Sequence, residues 1–144
     1  MPRVLFLCTG NSARSQMAEG LLRHLGGGQF DVRSAGIRPT SVREEAIRAM
    51  AEIGIDISAQ TSKSVEEFTS RAFDYVITVC DSARQSCPLF PGAVRMLHWS
   101  IEDPAAVEGG ADLRLAAFRA ARDELRHRIQ AFHASTGPAQ IRRP

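Results

Sequence analysis

Apolar residues along this chain alternate between short continuous runs and stripes of helical spacing. Val4 to Leu7 is an unbroken apolar run and predicts a short buried strand. Met17, Ala18, Leu21, Leu22 and Leu25 recur at helical intervals, which predicts a helix from about Ser15 to Leu25, ended by the glycines at 26, 27 and 28. A second strand is expected over Phe30 to Ser34, closed by Gly36 and Pro39. Val42, Ala46, Ile47, Met50 and Ile53 outline a second helix that stops at Gly54, with Ser41 as its cap and Glu44 in capping-box position. Residues 56 to 70 are polar and irregular, with one helical turn expected near Val65 to Phe68. Strands follow over Tyr75 to Val79 and Val94 to Trp99. A last helix, from about Ala111 to Phe132, is expected to bury Leu113, Ala117, Ala121, Leu125, Ile129 and Phe132. Its arginines read as a solvated face, with Glu124 and Arg128 as an i, i+4 pair.

Strands alternating with helices predict parallel pairing, right-handed crossovers and helices on both faces of the sheet. The expected fold is α/β, a single three-layer domain with a four-stranded parallel sheet over residues 1 to 133, then a loose tail from Ala134 to Pro144. A chain of 144 residues, 44% hydrophobic and 24% charged, suits one soluble domain with a real core. A formal net charge of +2 is too small and dispersed to indicate nucleic acid. No segment has the length or apolarity of a membrane span or a signal peptide, so no membrane partner and a cytoplasmic location are expected. A monomer is the default. Three cysteines are too few and uneven for a static disulfide framework and read as working thiols in a reducing compartment.

The first strand ends on Cys8, and Arg14 follows after the five residues Thr9, Gly10, Asn11, Ser12 and Ala13. A loop of that length between strand and helix can turn its N–H groups inward around a tetrahedral oxyanion. Gly10 and Asn11 tolerate tight or left-handed backbone, and Ser12 and Ser15 supply hydroxyls. The field that binds an anion also suits a thiolate nucleophile at Cys8. A packed cysteine at a strand end is the plain alternative, and the surrounding loop speaks against it. An acylated lipoprotein cysteine fails because the apolar run before it is too short.

In a parallel sheet the site lies at the carboxyl ends of the strands. Cys8 follows the first strand, Cys80 the third and Asp103 the fourth, which predicts one shared edge. Cys80 and Cys87 are seven residues apart; in a helix their Cα atoms would be about 10 Å apart, beyond disulfide reach. They can pair only if the segment unwinds, and Asp81, Ser82, Ser86 and Pro88 make it a weak helix. Two unrelated core cysteines, or a zinc site using Cys80, Cys87 and His98, are the other readings; the spacing is not a usual chelating one. His98 reads as a strand-end packing residue, and His24, His127 and His133 as surface residues. Asp103-Pro104 serves equally well as a turn start or as an acid beside an oxyanion.

The run Cys-Thr-Gly-Asn-Ser-Ala-Arg-Ser-Gln-Met-Ala-Glu at 8 to 19 resembles the loop of low-molecular-weight protein tyrosine phosphatases. With Thr-Val-Cys-Asp at 78 to 81, Cys-Pro at 87 and 88 and His-Trp-Ser-Ile-Glu-Asp-Pro-Ala at 98 to 105, the chain resembles the thioredoxin-coupled arsenate reductases of that fold. The resemblance covers roughly residues 3 to 133. It implies arsenate as substrate, bound by the N–H groups of residues 9 to 15 and by Arg14. It implies Cys8 as nucleophile, Asp103 as proton donor, and disulfides passing from Cys8–Cys80 to Cys80–Cys87. Thioredoxin is then the external reductant, with no bound cofactor or metal. Relatives with a second cysteine before the loop arginine differ from this chain, which has Ala13. Some of these reductases hold potassium near residues matching Asn11, Glu19 and Ser34, with an aspartate where this chain has Lys63; an ammonium there implies that the ion is replaced. The rival activity is tyrosine phosphatase, which leaves Cys80 and Cys87 without a role and lacks an aromatic at Ala105 or Ala106. A binding module for oxyanions or redox state is a further rival, and the intact cysteine, arginine and aspartate speak against it.

Overall fold

The computed structural model describes residues 1–86, 90 and 92–136. Strands β1 (Arg3–Cys8), β2 (Asp31–Gly36), β3 (Phe73–Thr78) and β4 (Ala93–His98) form one parallel sheet in the order β2-β1-β3-β4. Helices α1 (Arg14–Gly26), α2 (Glu44–Ala51), α3 (Asp81–Ser86) and α4 (Ala111–Thr136) connect and follow them. The chain steps from β1 outward to β2, then crosses back over β1 to β3. With right-handed crossovers, that reversal places α1 and α3 on opposite faces of the sheet. α1, α2 and α4 pack against one another, while α3 packs against β1 and β3. β1 is central and buried from Val4 to Cys8, which explains its unbroken apolar run. β4 is an edge strand, with Val94 and Met96 exposed. Among the described residues no helix is long and apolar enough to cross a membrane.

Several element ends differ from the sequence expectation for local reasons. Ser41 does not cap α2, whose N-cap is Arg43 with no side-chain hydrogen bond. The capping box lies instead at Ser64 and Glu67, on the short 3-10 turn Val65–Glu67. α1 does end at the glycines, with Gly27 in the left-handed region at φ 55°. Leu113 is exposed, and Phe118 takes the inward place in the α4 stripe. Arg114, four residues before Phe118, holds the inner face of the first turn through Glu45 and the carbonyls of Ala105 and Val107. Leu113 lies five residues before Phe118, about 140° round the helix. α4 continues to Thr136, so Ala134 to Thr136 are helical; the rest of the expected tail lies outside the described residues.

The arginine face of α4 is only partly solvated. Arg119 makes a two-pronged pair with Glu52, and the buried Arg122 reaches Glu52 and the carbonyl of Ala49. Glu124 and Arg128 form the expected pair at 3.6 Å. The hydrogen bonds from Arg119, aided by Arg122, hold the Glu52 carboxyl down from 4.5 to about 2. Because the folded value is depressed, this carboxylate stabilises the fold above pH 4.5 and loses that effect as pH falls toward 2.

Gly36, at the end of β2 beside Cys8, positions the loop after β1. A Cβ there would sit 2.8 Å from both the Asn11 nitrogen and the Thr9 oxygen, backbone atoms that cannot swing aside. The glycine is needed for close approach of two backbones rather than for a turn.

Two outcomes are expected. Gly36→Ala should destabilise by about 1–3 kcal/mol, the usual cost of overpacking, and weaken oxyanion binding, as read by thermal unfolding with and without phosphate. Glu52→Gln should lower the melting temperature at pH 7, with the gap to the unaltered protein closing between pH 4.5 and 2.

Candidate active site

The loop between β1 and α1 is held from outside by its carbonyls. Those of Cys8, Thr9, Gly10 and Ser12 accept from the backbone N–H groups of Ile37, Arg38, Thr40 and Arg43, and that of Ala13 accepts from Met17. The Asn11 carbonyl accepts from the side chains of Gln16 and Ser62. Among the described residues, the N–H groups of Thr9 through Arg14 find no acceptor in the protein. With the carbonyls turned out, these donors are left for a ligand. Asn11 makes the bend possible: it has φ 48°, the one positive φ at a non-glycine residue among those described.

These donors border a pocket of about 200 Å³ lined by Cys8, Gly10, Ser12, Arg14 and Asp103. Arg14 is fixed across it: one guanidinium nitrogen donates to the Ile101 carbonyl at 2.9 Å, and the other lies 3.8 Å from Asp103 Oδ2. Asp103 caps a turn and also stands at the pocket. Its Oδ1 accepts from the Ala105 N–H at 3.0 Å, capping the turn Pro104–Ala106, while its half-exposed carboxyl faces the pocket. Thr40 and Arg43 also line the pocket and were not singled out from sequence. Thr40 precedes the expected second helix and Arg43 falls in its expected first turn, and neither position signals contact with the loop after β1.

The Cys8 sulfur is 3% exposed as a residue and sits 2.8 Å from the Ser15 hydroxyl. The direction of that bond follows from the network behind it. Asn11 Oδ1 accepts from the Lys63 N–H at 2.9 Å, which fixes the amide orientation. Asn11 Nδ2 then donates to Ser15 Oγ at 2.7 Å and to Ser34 Oγ at 3.0 Å. Ser34 gives its single proton to the buried Glu19 carboxylate. Ser15, already accepting from Asn11, is left to donate to a Cys8 thiolate.

Cys80 follows β3 at the same edge of the sheet. Its sulfur is 3.5 Å from the Thr9 hydroxyl and accepts from the Ala83 N–H at 3.4 Å, at the start of α3. Both Cys8 and Cys80 are free thiols. Cys87 lies outside the described residues, as does the proposed Cys80–Cys87 spacing. The six residues Asp81–Ser86 are helical. His98 accounts for itself without a metal: its ring meets the Thr78 hydroxyl at 2.7 Å and the Asp81 carboxylate at 2.9 Å, tying β4 to α3. Of the expected surface histidines, His24 and His127 are exposed, whereas His133 packs edge-on against Phe30.

The residues matching the potassium position in some reductases do not fit that ion here. Arg23 binds Glu19 Oε2 at 2.8 Å, and the Lys63 ammonium lies 3.9 Å from Glu19 Oε1. A third cation would meet two fixed positive charges.

Comparison with known proteins places this geometry in context. The family model described as low molecular weight phosphotyrosine protein phosphatase matches residues 3–143. An arsenate reductase of Halalkalibacterium halodurans is 46% identical over 134 residues, spanning 93% of this chain and 96% of that protein. A solved arsenate reductase in its oxidized state superposes with a TM-score of 0.81 at 36% identity, covering 94% of this chain and 98% of the other. The thioredoxin-dependent arsenate reductase of Corynebacterium glutamicum gives a TM-score of 0.64 at 34% identity, covering 92% of this chain and 63% of the other. The chain therefore belongs to the low molecular weight phosphotyrosine protein phosphatase family and groups there with arsenate reductases.

Proposed function

We propose that the protein reduces arsenate to arsenite through three thiols and is itself reduced by thioredoxin. The observation that carries this reading is a second free thiol, Cys80, against the oxyanion loop, its sulfur 3.5 Å from the hydroxyl of the residue that follows Cys8. Phosphoryl transfer has no use for that thiol; a two-electron reduction does.

Arsenate is a tetrahedral oxyanion, and the six free N–H groups and Arg14 fit its charge and shape. The Cys8 thiolate attacks arsenic(V) and forms a sulfur–arsenic bond. The departing oxygen takes a proton from Asp103 and leaves as water. Cys80, as thiolate, then attacks the Cys8 sulfur. A Cys8–Cys80 disulfide forms, the sulfur–arsenic pair passes to arsenic, and arsenic(III) departs as arsenite. Cys87 attacks Cys80 in turn, freeing Cys8 and leaving a Cys80–Cys87 disulfide. A dithiol reductant such as thioredoxin suits an internal disulfide of this kind, in keeping with the thioredoxin-dependent relative. No bound cofactor enters these steps. The same reading takes the protein as a cytoplasmic monomer.

Phosphatase activity is the second reading, favoured by the fact that Cys8, Arg14 and Asp103 share one pocket. That trio suffices for a phosphocysteine intermediate. Ala105, which lines the pocket mouth, offers no aromatic surface to a phosphotyrosine ring.

With thioredoxin, thioredoxin reductase and NADPH, Cys80→Ser should abolish arsenate-dependent NADPH oxidation while phosphate still protects the protein thermally. Turnover surviving in Cys80→Ser would exclude the relay. Asp103→Asn should lower the rate of the first chemical step by about 10²–10⁴-fold, the range for losing a general acid, as measured by single-turnover quench. Replacing sodium by potassium in the assay should leave kcat/KM unchanged; a severalfold rise would contradict the role given to Lys63.

A further inference from the structure

A second recess, of about 540 Å³, opens beside α1 and β2, away from the Cys8 pocket of about 200 Å³. Arg23, Arg33 and Lys63 line it, together with Glu19 and Asp56. Both carboxylates are already engaged. Glu19 is taken by the Ser34 hydroxyl and, at 2.8 Å, by Arg23, and Asp56 accepts from the Ser58 N–H at 2.8 Å. The cations are less well matched. The Lys63 ammonium makes one hydrogen bond, to the Thr61 carbonyl at 2.7 Å, and stands 3.9 Å from Glu19. Two of its three donors therefore have no acceptor at hydrogen-bond distance among the described residues. Arg33, which lines the recess, meets Asp31 through Nε at 3.1 Å, and its terminal nitrogens have no acceptor among the described residues. Burial pushes the Lys63 pKa down; Glu19 and Glu67 oppose this, and Arg23 and Arg33 add to it. The lining carries three cations against two carboxylates, with Asp31 beside Arg33 and Glu67 acting on Lys63 from outside it; the donors left over among the described residues are two on Lys63 and the terminal nitrogens of Arg33.

We infer that this recess binds a polyvalent phosphate-type oxyanion, at a site separate from the arsenate loop. The recess has more than twice the volume of the Cys8 pocket, so it accepts an anion larger than a single tetrahedral oxyanion. Three cationic side chains from α1, β2 and the segment before the 3-10 turn converge on it. A cation would be repelled by the same charges. An inorganic polyphosphate and the phosphate chain of an organic ester share this chemistry. Glu19, on the wall, is also the far end of the hydrogen-bond chain that reaches Cys8.

The test is a titration of the amide-labelled protein by NMR, with inorganic tripolyphosphate and, separately, ATP. Tripolyphosphate should shift the amides of Arg23, Arg33 and Lys63, and the dissociation constant read from those shifts should rise at least tenfold in Lys63→Met. Arg33→Ala, at an exposed strand position, should raise it severalfold and provides the result if Lys63→Met does not fold. Equal affinity for the two probes assigns recognition to the phosphates alone, and tighter ATP binding assigns it to an organic phosphate. Shifts confined to Thr9 through Arg14, or affinities unchanged in both variants, would overturn the inference.

Discussion

The site depends on one constraint: the carbonyls of the loop after β1 must all be turned outward. Each one from Cys8 to Ala13 is held, by the backbone of residues 37 to 43, by the first turn of α1 or by the side chains of Gln16 and Ser62. Burying a backbone without pairing its polar groups is costly. Here the carbonyls are satisfied by protein, and the N–H groups are left for the proposed oxyanion. The segment after β2 is therefore part of the active site although it contributes no reacting group. Gly36 is where the two backbones come closest.

The sheet and the thiol chemistry serve each other. Parallel strands bring the ends of β1, β3 and β4 to one edge, so residues far apart in sequence become neighbours. Cys8 takes its orientation from a hydrogen-bond network in which Asn11, its amide fixed by the Lys63 N–H, donates to Ser15 on the Cys8 side and to Ser34 on the Glu19 side. Cys80 sits immediately before the helical residues Asp81–Ser86. Asp81, Ser82 and Ser86 are weak interior helix formers, which suits the disulfide exchange proposed for Cys80.

The sequence was most legible where covalent spacing alone defines geometry. Cys8, the five residues after it and Arg14 needed only a strand before and a helix after, and the alternation of apolar runs predicted the parallel sheet. Residues whose roles depend on distant partners were hidden. Gly36 looked like a turn glycine because the backbone it faces lies 25 residues earlier, at Asn11. Arg122 looked solvated because Glu52 and the Ala49 carbonyl come from another helix. Leu113 looked buried because helical spacing marks a face but not where packing against that face begins. Arg43 looked like part of the first turn of the second helix, whereas it is the N-cap and reaches the pocket with Thr40.

The central claim is that three thiols deliver two electrons to one bound oxyanion. It is tested most directly by mixing the fully reduced protein with excess arsenate and no external reductant, then counting arsenite and remaining thiols. The account predicts one arsenite per chain, two thiols lost, and a Cys80–Cys87 disulfide in the peptide map. Three thiols retained with no arsenite formed would contradict it and leave only an oxyanion cradle of the phosphatase kind.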